Sequence, residues 1–159
     1  MSRNTIAVSK FIGTISLGLL TGVSYTLATQ TLPSLLTLPS AKPAYHTFLH
    51  LQTLAKNNLR TLTAVAITSL TAAYALSPSR GRHPYLLWTA LTAAMGGGVD
   101  FVLRHDEDKL RQQGGEGENV NGEQVQAAVE QFRIVEMVRT GVSGMAFAMA
   151  VVGIWGDGF

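Results

Sequence analysis

Cysteine is absent from this chain, and that one absence excludes a disulfide framework, a thiolate metal site and a cysteine nucleophile together. It leaves the redox compartment open. Charge is scarce as well: Asp, Glu, Lys and Arg make up 14% of the residues, against about 25% in an average soluble domain. The scarcity is lopsided. Residues 1–99 contain seven Lys/Arg and no acid, whereas residues 100–159 hold all ten acids and five Lys/Arg. The cations stand singly between apolar blocks, so no basic run of the kind nucleic acid requires is present.

Long apolar runs are what the chain has in abundance, with 47% hydrophobic residues over 159 positions. A helix needs about 20 predominantly apolar residues to cross a hydrocarbon core of roughly 30 Å. Four stretches approach that length, at 11–32, 61–79, 84–103 and 138–155. Pro33 and Pro39 are expected to stop the first and Pro78 the second, because proline cannot donate to the helix ladder. Four such helices leave too little polar sequence to cover the outside of a soluble core. The first stretch, behind Arg3 and Lys10, outlasts the apolar region of a cleaved signal peptide and reads as a signal anchor. The expected fold is therefore all-α: a four-helix transmembrane bundle forming one integral membrane domain, its partner the lipid bilayer.

Small residues mark the expected contacts between helices. Thr14, Gly18, Gly22 and Thr26 recur every four residues, and Gly18-x-x-x-Gly22 lets two backbones approach closely in lipid. Packing within the chain is the simpler use; the same stripe would also serve a homo-oligomer. Gly96-Gly97-Gly98 predicts a kink or a close crossing. Thr61, Thr63, Thr68, Thr71, Thr89 and Thr92 can bond back to their own helix.

Between the first two spans, Phe48, Leu51 and Leu59 at helical spacing predict a short interfacial helix after span 1. His46 and His50, four apart, would share a face there, but two imidazoles without a third ligand are half a metal site. Between spans 3 and 4, residues 104–122 combine a charge cluster with glycine and polar residues, which predicts a flexible acidic loop. Order is expected to return at Glu123 in an amphipathic approach helix, with Val125, Val129, Phe132 and Val135 on its apolar stripe and Glu130, Arg133 and Glu136 off it. Asp100 is an intramembrane acid and so a functional candidate by default, although Arg104 one turn on makes an ion pair at a helix end the plainer role. No nucleophile–base pair, cofactor cage or paired-carboxylate site is legible. Neither an enzyme nor a cofactor is expected.

The run Ala7-Val-Ser-Lys-Phe-Ile-Gly-Thr-Ile-Ser-Leu-Gly-Leu-Leu-Thr-Gly-Val-Ser-Tyr25 resembles the fungal autophagy-related protein 33 family, as do Leu59-Arg-Thr-Leu-Thr63 and Leu76-Ser-Pro through Arg82-His-Pro-Tyr-Leu-Leu-Trp-Thr89. The resemblance implies a small multi-pass protein of the mitochondrial outer membrane, needed for selective removal of mitochondria by autophagy. Its implied partners are autophagy or outer-membrane proteins. Arg3 and Lys10 suit a mitochondrial anchor and would equally serve the endoplasmic reticulum. For an adaptor, Phe132-Arg-Ile-Val135 fits the minimal aromatic-x-x-aliphatic pattern for strand addition to a ubiquitin-like modifier, while Phe132 and Val135 also belong to the apolar stripe. A looser resemblance links Gly22, Thr26 and Pro33-Ser-Leu-Leu36 to anthrone-oxygenase-like membrane proteins, where a serine stands in place of Thr26. That would imply a cofactor-independent oxygenase. An accessory subunit of a larger membrane complex is the remaining alternative.

Overall fold

The computed structural model describes residues 3–78, 83–98 and 122–156. Among the described residues the architecture is all-helical, with no strand. Helix α1 runs over Arg3–Thr26 and passes through a π-turn, Leu27–Thr31, into the single turn α2, Leu32–Leu35. A short turn leads to α3, Ala41–Leu76. Helix α4 occupies 85–98, and α5 is Gly122–Gly156.

The boundaries follow from proline chemistry. Ser77, held by the Pro78 ring out of the α region, is extended at φ −70° and ψ 135° and ends α3 where the sequence predicts. Pro84 opens α4, where its missing N–H is one the first turn leaves unused. Its carbonyl accepts from Leu87 and Trp88 at 3.1 Å. Pro33 behaves differently. It does not stop the first helix; the helix widens into a π-turn just ahead of it and continues to Leu35.

Among the described residues three helices are long and apolar enough to cross a membrane: Asn4–Leu35, Ala41–Leu76 and Gly122–Gly156. At 1.5 Å per residue each is about 48–54 Å long, well beyond a hydrocarbon core of roughly 30 Å. The helix expected after span 1 is therefore the first half of α3, and the approach helix is the first half of α5. Both run on without a break.

Helix α1 lies against both α3 and α5, antiparallel to each. Its Gly13 faces Leu70 and Ala66 of α3, its Thr21 meets Ser143 of α5, and its Ala28 meets Arg133. Helix α4 joins the same bundle, with Gly97 against Thr63 of α3 and Gly96 against Val142 of α5. Gly96 and Gly97 thus serve a close crossing, inside a helix that continues to residue 98. One apolar core runs the length of the bundle, from Ala150 and Leu86 at one end to Tyr45, Phe48, Val125 and Phe132 at the other. Outward, the helices present Phe11, Leu19, Trp88, Met95, Met145, Val152 and Trp155, the last 82% exposed.

Asp100, Arg80, Arg82, the end of the third expected span and residues 104–121 lie outside the described residues.

Candidate functional site

The polar interior of the bundle is concentrated where α5 crosses α1. Helix α5 turns Phe132, Glu136, Arg139, Ser143, Ala146 and Ala150 inward, a spacing of three and four residues that keeps one face in contact with its neighbours. Glu136 is 0% and Arg139 1% exposed. The Arg139 guanidinium donates to the Glu136 carboxylate one turn earlier on the same helix. Thr140 donates back to the Glu136 carbonyl at 2.7 Å and Ser143 to the Arg139 carbonyl at 2.7 Å. Thr21 of α1 closes the group by donating to the Ser143 hydroxyl at 3.1 Å.

Charges hidden this completely are retained only when paired, because a buried ion loses several kcal/mol of hydration. Position along the chain set Glu136 off the apolar stripe; the structure buries it. The stripe of 125, 129, 132 and 135 drifts around a 3.6-residue helix, and within two turns it passes to 136, 139 and 143. A signal was nevertheless present: Glu136 and Arg139 are an opposite-charge pair at i, i+3, bracketed by Met137, Val138 and the small residues of the last span.

A second polar junction lies a turn and a half toward the start of α5. In the π-turn the N–H of Leu32 donates to the carbonyl of Leu27, five residues back. That withdraws the α-helical partner of the Ala28 carbonyl. Its next partner in a π pattern would be the N–H of residue 33, which proline does not have. Proline and π-turn together leave the Ala28 carbonyl without a donor from its own helix. Arg133 supplies one from α5, its Nε donating to the Ala28 oxygen at 3.0 Å. A buried carbonyl without a donor is costly, so this contact ties the two helices at a fixed level.

The small-residue stripe divides in two. Thr14 is buried and donates to the Lys10 carbonyl at 2.8 Å. A Cβ on Gly18 would come to 3.1 Å from the Phe147 ring, so Gly18 admits α5. Gly22 and Thr26 face outward: nothing lies within 4 Å of where a Gly22 Cβ would stand, and Thr26 bonds back to the Gly22 carbonyl at 2.9 Å. Thr61, Thr68 and Thr92 likewise donate to carbonyls four residues back, whereas the buried Thr89 hydroxyl makes no such bond.

Phe132 and Val135 are both buried, and the Phe132 ring packs edge-on against Phe48 at 5.9 Å. In this fold the aromatic-x-x-aliphatic segment is helical and closed to strand addition. His46 and His50 stand exposed on α3. Among the described residues no group of three or more His, Asp or Glu is placed to hold a metal ion.

These contacts fasten helices to one another, in a small protein whose described residues are helical and include three helices of membrane length. The family whose pattern the chain matches is described as autophagy-related protein 33, over residues 1–119. A relative named autophagy-related protein 33, from Gibberella zeae, is 34% identical over 183 aligned positions, which cover 97% of this chain and 92% of the relative. The chain belongs to the autophagy-related protein 33 family. No solved structure matches it. The family match spans α1 to α4, whereas the Glu136–Arg139 pair lies on α5, which only the alignment with the relative reaches.

Proposed function

We propose that this protein is a non-enzymatic, multi-pass protein of the mitochondrial outer membrane that serves selective mitochondrial autophagy as an adaptor, regulator or scaffold. Membership of the autophagy-related protein 33 family carries this proposal. The helices support its membrane part. On the outer face of α5, exposed apolar residues run from Ile134, Met137 and Val138 through Met145 and Val152 to Trp155. That is 21 steps, or about 32 Å at 1.5 Å per residue, matching a hydrocarbon core. The span of α5 would thus begin one turn earlier than residue 138, and the Glu136–Arg139 pair would lie inside the membrane near one boundary. With the apolar stretch 84–103 counted as a further span, the chain makes four spans, both termini on one side.

The remaining halves of α3 and α5, with α2, then stand outside the membrane as a three-helix cap. Their outward residues are polar over Lys42, His46, His50 and Asn57 on α3 and over Glu123, Gln126 and Glu130 on α5. Autophagy or outer-membrane proteins would meet this cap and the hydrophilic stretch 104–121.

Protease protection on intact fungal mitochondria, with a tag inserted at Gly115, tests the proposal. Cleavage without rupture of the outer membrane is the expected result, placing stretch and cap in the cytosol. A tag missing from mitochondria would overturn the assignment, and one protected until the outer membrane is opened would overturn the cytosolic docking role.

A further inference from the structure

Arg133 uses one donor inside the protein and leaves a fork outside it. Its Nε holds the Ala28 carbonyl at 3.0 Å, and among the described residues neither terminal nitrogen has a hydrogen bond or an ion pair. The acids one turn to either side are otherwise engaged: Glu130 accepts from the Gln126 amide at 2.9 Å, and Glu136 accepts from Arg139. The side chain is half-buried and stands where the outer face of α5 changes character. Toward the cap come exposed Glu130 and Gln131; toward the bundle come exposed Ile134, Met137 and Val138.

We propose that the free fork of Arg133 binds the headgroup phosphate of an anionic phospholipid at this boundary, the π-turn carbonyl orienting the guanidinium for it. The proposal rests on the membrane placement of α5 given above. A planar guanidinium fixed through Nε still offers two parallel N–H groups to phosphate oxygens, a geometry that matches phosphate and that a lysine cannot reproduce while also reaching Ala28. A cation at the water–hydrocarbon boundary meets lipid headgroups at high local concentration, and basic side chains between helices at that depth recognise anionic ones. Its partial burial favours a ligand arriving sideways from the bilayer over an extended acidic peptide.

The full chain in mild detergent, examined by native mass spectrometry with added phosphatidylglycerol or phosphatidylcholine, tests this. Phosphatidylglycerol retention should fall about tenfold or more in Arg133→Gln, the least that losing a charge-assisted fork of two hydrogen bonds is worth. Arg133→Lys should lose most of that retention, and Lys42→Gln, a cation exposed on the cap, should change it little. Because the chain has no cysteine of its own, a T21C/S143C disulfide reports whether each variant keeps the α1–α5 contact. Unchanged lipid retention in a variant that still cross-links would overturn the proposal, as would full retention by Arg133→Lys. Displacement of the lipid by millimolar inorganic phosphate would also overturn it and assign the site to a soluble anion. Extraction of the chain from membranes by alkaline carbonate would instead defeat the membrane placement itself.

Discussion

The Glu136–Arg139 pair gives the most demanding test of this fold. Both side chains are essentially fully buried, at 0% and 1% exposure, so neither can recover its hydration when its partner is lost. Glu136→Leu leaves a guanidinium facing an aliphatic side chain, and Arg139→Met leaves a carboxylate facing a thioether. Both replacements are close in volume, so the measured effect reports charge rather than a cavity. Removing one member of a buried ion pair costs about 3–5 kcal/mol, a hundredfold or more in the folding equilibrium. Removing both tells a different story. Glu136→Leu combined with Arg139→Met leaves no orphan charge, and apolar replacement of a buried pair is commonly neutral or mildly stabilising. The double variant should therefore be more stable than either single one, with a coupling of about 2 kcal/mol or more. Pulse proteolysis of the purified chain across a series of SDS mole fractions in mixed micelles would give all four stabilities. The reasoning fails if either single variant loses less than about 1 kcal/mol, or if the double variant is as unstable as the singles combined.

Three other outcomes follow from contacts at separate levels of the bundle. Pro33→Ala restores an N–H that can reach the Ala28 carbonyl, so Arg133→Gln should cost about 1–3 kcal/mol less in that background than in the parent; equal costs in the same proteolysis assay would break the link between proline and arginine. The Tyr85 ring covers Gly153 so closely that a Cβ there would fall inside it. Gly153→Ala should therefore cost about 1–3 kcal/mol, measured as a lower Tm in detergent, whereas Gly22→Ala, inside a helix with open space around it, should hold or slightly raise Tm. Phe132→Ala should cost about 3–5 kcal/mol by emptying the Phe48 contact, seen as faster hydrogen exchange over α3 and α5 in the cap; exchange confined to the mutated turn would contradict a shared cap core.

Much of the fold could be read from particular residues. Pro78 and Pro84 place helix ends correctly because the ring acts on its immediate neighbours, whatever the tertiary setting. The back-bonds of Thr61, Thr68 and Thr92 and the Gly96–Gly97 crossing were legible for the same reason, since small size and a local hydroxyl decide them, although the buried Thr89 hydroxyl does not follow. Pro33 was misjudged as a stop. A proline in a long helix can be absorbed by a π-turn when a donor from elsewhere takes the freed carbonyl, and Arg133 is 105 residues away from Ala28. Glu136 escaped notice because a stripe assigned over four positions does not show how the buried face drifts farther along. Gly18 and Gly22 share one motif in sequence, yet only the first has a neighbour to admit. Such pairings are fixed by the bundle as a whole and leave no trace at short range.

The unbroken passage of α3 and α5 between the two halves of the molecule has a mechanical consequence. Neither helix offers a flexible neck, so cap and bundle form one stiff body, and a partner grasping the first turn of α5 would be held about 18 Å from the membrane surface, the rise of the 12 residues before Ile134. A sideways pull there would not be lost in bending of a linker. It would tilt the rods within the bilayer and load the junction at Ala28, Arg133, Glu136 and Arg139, where the lever has its fulcrum.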